Sequence, residues 1–117
     1  MNILIVDDEP LVVQVLSRQL RGEGYQVCSA GSAEQALLLA GKERFDVVLL
    51  DMVLPGASGF SAIAALKGSG AASIIAMSGH ADEEVRKDVL LLGAVALLEK
   101  PFDNRQLALL LQDVSRS

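Results

Sequence analysis

The sequence predicts a doubly wound α/β domain, with five parallel strands alternating with five helices. Three observations predict it. Short apolar runs recur along the 117 residues, and each is followed by a longer amphipathic stretch. The runs are mostly continuous rather than alternating, which is the pattern of strands covered by helices on both faces. Capping and turn residues separate the segments, and no linker or low-complexity tract interrupts them. Each helix then serves as the right-handed crossover that two neighbouring parallel strands require. The length suits one domain over residues 1–117, and no output domain is expected within it.

Taken in order, the first strand is expected over residues 3–6. Glu9 and Pro10 open the first helix, where proline loses no needed donor and glutamate suits the positive end of the helix dipole. Leu11/Val12, Val15/Leu16 and Gln19/Leu20 set that helix's spacing. The second strand, residues 25–29, ends in Ser29, Ala30 and Gly31 and reads as an edge strand. Ser32 to Gln35 matches a capping box for a helix through Leu39, which Gly41 can end. After a third strand at 46–50, Ser58 caps a helix carrying Ile63 and Leu66, closed by Gly68, Ser69 and Gly70. The fourth strand spans 73–77. Asp82 then precedes a helix with Val85, Val89 and Leu92 on one face and Gly93 as its stop. The fifth strand covers 95–98, and Asp103 to Gln106 form a second capping-box match. The last helix turns Leu107, Leu110, Leu111 and Val114 inward.

Composition narrows the function. Hydrophobic residues make up 51% of the chain and aromatics only 3%, so the core is aliphatic. A net charge of -5 argues against direct binding to nucleic acid or an anionic membrane. The single cysteine, Cys28, cannot form an internal disulfide, and in an apolar strand its plain role is packing. No basic n-region precedes the first apolar run, and no run approaches the ~20 residues needed to span a bilayer. The expectation is a soluble, cytoplasmic protein.

Ligands of open parallel α/β sheets sit outside the carboxyl ends of the strands. Here the first strand ends in Asp7 and Asp8, the third in Asp51, the fourth in Ser78 and the fifth in Glu99 and Lys100. Any one polar strand end means little, but together they place three carboxylates, a hydroxyl and an ammonium on one rim. Clustered carboxylates repel unless a cation compensates, and Mg²⁺ suits a few carboxylates plus water. With such a cation and Lys100 present, Asp51 can stay ionised and approach a phosphoryl group, while Ser78 donates a hydrogen bond. The rim chemistry points to phosphorylation of a carboxylate.

Four segments carry a resemblance: Val6 to Pro10, Leu50 to Gly59, Met77 to Asp82 and Glu99 to Phe102. In order and spacing they resemble the receiver domain of two-component response regulators, of the CheY-like family, over essentially the whole chain. The resemblance implies a flavodoxin-like (βα)5 fold with sheet order 2-1-3-4-5, and residues 3–6 are expected as the central strand of the sheet. It implies that Asp51 is the phosphoacceptor, and that Asp8, Asp51 and the Met52 carbonyl bind Mg²⁺. Asp7 matches the other acidic residue, acting on the metal through water. Ser78 matches the hydroxyl that moves to the phosphoryl group, and Lys100 its partner lysine. A cis bond before Pro101 is implied too, as is a turn at Pro55 and Gly56 with a small residue, Gly59, beyond it. The implied function is a phosphorylation-dependent signalling switch that takes its phosphoryl group from a histidine kinase or phosphotransfer protein. It would catalyse its own phosphorylation without turning over an external substrate.

The match has departures. The family commonly has an aromatic residue where Leu97 stands, so the usual readout through a moving ring is in question. With Leu90 and Leu91, Leu97 is read as an apolar strip on the fourth-helix and fifth-strand side, suited to a homodimer. Val53 and His80 flank the attack path. Val53 offers no hydrogen bond to a hydrolytic water, and His80 is either a plain solvent-facing residue or one that orients water or shields the site. A pseudo-receiver without phosphorylation is the alternative, which the intact rim disfavours. An aspartyl-phosphate phosphatase would need a second aspartate where Val53 stands. A nucleotide site finds no phosphate-binding glycine loop after the first strand.

Overall fold

The computed structural model describes residues 1–54, 57–70 and 73–115. The expected turn at Pro55 and Gly56 lies outside the described residues. In chain order the elements are β1 (Asn2–Val6), α1 (Pro10–Gly22), β2 (Gln26–Ala30), α2 (Ala33–Lys42) and β3 (Val47–Asp51). They continue with β4 (Val53–Leu54), β5 (Ala57–Ser58), α3 (Gly59–Gly68), β6 (Ser73–Ser78), α4 (Glu83–Leu91), β7 (Ala96–Glu99) and α5 (Asn104–Ser115). Five strands form one parallel sheet in the order β2-β1-β3-β6-β7, the flavodoxin-like order expected once the short β4–β5 ribbon is set aside. β2 is an edge strand, as expected. The middle position belongs to β3 and not, as expected, to β1, because β2 folds back to pair on β1's outer side.

Successive strand residues point to opposite faces, and the aliphatic runs supply both faces at once. Leu4, Val6, Val48, Leu50, Ile74 and Ala76 pack with Ala36, Ile63, Leu66 and Val89 of α2, α3 and α4. Ile3, Ile5, Val47, Leu49, Ile75 and Met77 pack with Leu16, Leu20, Leu107 and Leu111 of α1 and α5. Each of the Val, Leu, Ile and Met side chains among them is worth about 1.5–3 kcal/mol when fully buried, so the sheet holds its strand ends firmly.

The helix signals hold with adjustments. Asp103 and Gln106 form a reciprocal capping box: Gln106 N donates to Asp103 Oδ1 (2.8 Å) and Asp103 N to Gln106 Oε1 (3.1 Å). Ser32 caps α2 through Gln35 N, but the Gln35 side chain accepts from Gly31 N instead of Ser32 N. Gly41 does not end α2, which runs on to Lys42 because the chain leaves the helix through an extended Glu43. Gly93 does follow the end of α4, at φ +115°, a conformation that side chains resist. On α1, Leu11 and Val15 face outward, as does Leu92 after α4. Leu97 is also corrected. It is 5% exposed and packs in the cluster with Ala76 and Val89, so it cannot join Leu90 and Leu91 in an exposed strip. The β4–β5 ribbon, two residues on each side, is too short to leave a periodic signal. Among the described residues no helix is long and apolar enough to cross a membrane.

Candidate functional site

The strand register delivers the rim. Val6 pairs with Leu50 across β1 and β3, so Asp7 and Asp51 emerge side by side. Asp51 pairs with Met77, placing Ser78 one step beyond, and Ser78 pairs with Glu99, which brings Lys100 to the same end. Lys100 N also donates to Ser78 O at 2.7 Å, and the Lys100-Pro101 peptide bond is cis.

Asp7 and Asp51 are 2% and 5% exposed, whereas Asp8 is exposed. One ligand oxygen from each of the three lies within 4.8 Å of the others. Lys100 Nζ bridges the two buried carboxylates, donating to Asp7 Oδ2 at 3.1 Å and Asp51 Oδ2 at 3.2 Å. The far oxygens are held by backbone: Glu9 N donates to Asp7 Oδ1 (2.9 Å) and Val53 N to Asp51 Oδ1 (3.0 Å). Those two N–H donors were not foreseen, because a backbone donor leaves no residue-type signal.

Burial pushes the Asp51 carboxyl above its ordinary value, against the opposing pull of the Val53 N–H and the Lys100 ammonium, and Asp7 adds to the rise. For Lys100, burial works to lower the pKa. The hydrogen bond to Asp7 and the charges of Asp51 and Asp7 outweigh it and hold the ammonium above its usual range. Three carboxylates against one ammonium leave the cluster short of positive charge, and the all-oxygen donor set fits a hard divalent cation. Met52 follows Asp51 in the chain and lies against the start of α3. A Cβ on Gly59 would lie 2.6 Å from both Met52 Cα and Met52 O, so only glycine allows α3 to begin against that peptide.

Asp8, Glu9, Asp51, Val53, Gly79 and Lys100 line the cleft over this cluster. Ser78, 6% exposed, ends the neighbouring strand β6 next to Gly79, and its hydroxyl is bonded to His80: Oγ donates to His80 O (2.9 Å) and accepts from His80 N (3.0 Å). Of the expected site residues, Asp7, Asp8, Asp51 and Lys100 come together and Met52 adjoins them. The Ser78 hydroxyl is not directed at them.

The family model for the response regulator receiver domain matches residues 3–112. The chain belongs to that family. Receiver domains of response regulators are signalling domains that partner with histidine kinases. The chain is 36% identical over 100 residues to the transcriptional regulatory protein KdpE of Mycobacterium tuberculosis, covering 86% of this chain and 44% of that protein. It spans between about a third and a half of the length of the curated relatives it matches. The receiver domain of the sensor histidine kinase PA1611 of Pseudomonas aeruginosa is similar in structure (TM-score 0.88, 32% identity, 99% of this chain and 98% of that one) and has a magnesium ion coordinated in its active site cleft. A response regulator of Burkholderia pseudomallei has a TM-score of 0.89 at 32% identity, covering 98% of this chain and 69% of that one. Its structure contains a phosphorylated aspartic acid, a calcium ion and citrate.

Proposed function

We propose that residues 1–117 act as one receiver unit, a switch that accepts a phosphoryl group on Asp51 from a histidine kinase or phosphotransfer protein and then changes its interaction surface. The observation that carries this reading is the buried Asp51 carboxylate, paired with Lys100 and opening on a cleft at the end of β3. In the transfer, an Asp51 oxygen attacks phosphorus. The O–P bond forms as the P–N bond of the donor phosphohistidine breaks, and the imidazole nitrogen keeps the electron pair. Lys100 is already aimed at Asp51, and after transfer its ammonium faces the new phosphoryl oxygens. Asp7, Asp8, Asp51 and the Met52 carbonyl would hold Mg²⁺, which when bound offsets the carboxylate charge and draws charge from the phosphoryl oxygens. Ser78 contributes a hydrogen bond to the phosphoryl group once its hydroxyl turns.

On this reading the chain catalyses its own phosphorylation and dephosphorylation, turns over no external substrate and is not an enzyme. An apolar groove beside the cleft supports docking of the donor: Leu11 and Val15, 73% and 62% exposed, line it with Pro101 and Phe102 and it reaches Lys100. A homodimer through α4 is supported by Leu90 and Leu91, 45% and 76% exposed. The charge of -5 goes against nucleic-acid binding by this domain, and the lone Cys28 goes with a cytoplasmic setting. The test is incubation with Mg²⁺ and acetyl phosphate, followed by mass spectrometry. One added phosphoryl group, absent in Asp51→Asn, is expected. No adduct would favour a pseudo-receiver instead.

A further inference from the structure

The Ser78 hydroxyl has one proton to donate, and that proton is committed to the His80 carbonyl. The same oxygen accepts from His80 N, so Ser78 and His80 close a tight reciprocal pair around Gly79. Donation to any group in the cleft therefore requires the bond to His80 to break. The His80 ring is tied as well as its backbone: Nε2 lies 3.1 Å from Asp82 Oδ2. Asp82 is itself anchored, because its other oxygen, Oδ1, accepts from Val85 N at 2.9 Å as the N-cap of α4. A continuous chain of hydrogen bonds thus runs from the Ser78 hydroxyl, through His80 and Asp82, to the first turn of α4. The His80 side chain is 84% exposed, so packing does not account for its position.

We infer that His80 and Asp82 form a latch that keeps the Ser78 hydroxyl turned away from the cleft and couples its release to the N-terminus of α4. The inference rests on the reading of Asp51 as phosphoacceptor and of Ser78 as donor to the phosphoryl group. His80 and Asp82 are positioning residues, acting on the site through Ser78. An exposed pair of this kind shifts an equilibrium by about two- to fivefold, so the latch sets a bias and does not lock the loop.

The probe is beryllofluoride with Mg²⁺, titrated into the protein while amide resonances are followed. His80→Ala removes the ring but keeps the backbone groups that bond Ser78. Asp82→Ser keeps a good N-cap oxygen for Val85 N but has no second oxygen for His80. Each substitution is expected to lower the half-saturating beryllofluoride concentration about two- to fivefold, and the double variant is expected to add nothing further. In a Ser78→Ala background, His80→Ala is expected to have no effect, since no hydroxyl remains to be released. In metal-free protein, hydrogen exchange of the amide at position 80 is expected to quicken by a similar factor in Asp82→Ser. Unchanged half-saturation in both single variants overturns the latch, as does an effect of His80→Ala that persists without Ser78. Wild-type protein that does not bind beryllofluoride overturns the phosphoacceptor reading itself, a distinct result.

Discussion

Replacing Gly59 by alanine tests whether the start of α3 positions the Met52 carbonyl. The added Cβ would lie 2.6 Å from Met52 Cα and O and 2.8 Å from the Met52 methyl carbon. The methyl can swing aside, but the backbone atoms cannot. Restoring an ordinary contact of about 3.4 Å means parting the two backbones by about 0.8 Å. Overpacking of this kind costs about 1–3 kcal/mol. Unfolding entropy of about 2.1 cal/mol/K per residue over 117 residues makes each kcal/mol worth about 4 °C in Tm. A fall of about 4–12 °C is expected in thermal unfolding without metal. Disturbing the groups that position a metal ligand typically costs about 10–100-fold in affinity, so Mg²⁺ affinity measured by calorimetry should fall by at least about tenfold. Gly41→Ala is the control: its Cβ meets nothing within 4 Å in a helical segment, and the change should stabilise by about 0.4–1 kcal/mol. Unchanged Mg²⁺ affinity in Gly59→Ala would refute the role given to the Met52 carbonyl. An unchanged Tm would refute the packing argument beneath it.

Asp51→Asn should raise the stability of the metal-free protein. The Asp51 pKa is raised in the fold from 3.8, so the folded state holds its proton more tightly than the unfolded chain and stability falls as pH rises between those values. The variant's advantage in urea unfolding should be absent below pH 3.8, grow as pH rises through the folded value, and shrink again when Mg²⁺ saturates the wild type. An advantage that does not change with pH would contradict this. Val53, 74% exposed on the cleft, gives no hydrogen bond to a hydrolytic water, so Val53→Asn should shorten the lifetime of the aspartyl phosphate. An unaltered decay rate by mass spectrometry would reject it. If α4 mediates self-association, sedimentation with beryllofluoride should show a dimer that Leu91→Asp abolishes. A monomer in every condition would end that reading.

The fold was legible because five aliphatic runs fill both faces of one sheet, and such runs look like little else. The site was legible because chemistry-bearing residues stand just beyond those runs. What escaped the sequence was orientation. Strand β3 ends one residue later than expected, so Asp51 belongs to the ladder and takes its rigidity from it. The face Leu97 presents depends on strand register, which residue types do not encode, and pairing with Ala76 turns it inward rather than onto an exposed strip. The Ser78 hydroxyl was expected to serve the phosphoryl group, yet a rotamer decides its partner, and here the partner is His80. The close approach of Gly59 to Met52 is a contact between backbones, which residue types only hint at.

The distribution of buried polar groups gives these pieces a common logic. Among the described residues the buried polar or charged side chains are Asp7, Ser17, Asp51 and Ser78, and all but Ser17 lie at the carboxyl ends of neighbouring strands. Burying a carboxylate is costly unless it is paired and hydrogen-bonded, and Asp51 shows the cost in its raised pKa despite Lys100 and the Val53 N–H. A sequence selected for stability alone would place asparagine or an aliphatic residue there, as the apolar sheet around it does at every preceding position of β3. The strained electrostatics therefore sit where a cation would relieve them. Binding energy gained there is available to shift the Ser78 hydroxyl, and with it the cap of α4. The substitution that stabilises the resting fold should for that reason be the one that abolishes the switch.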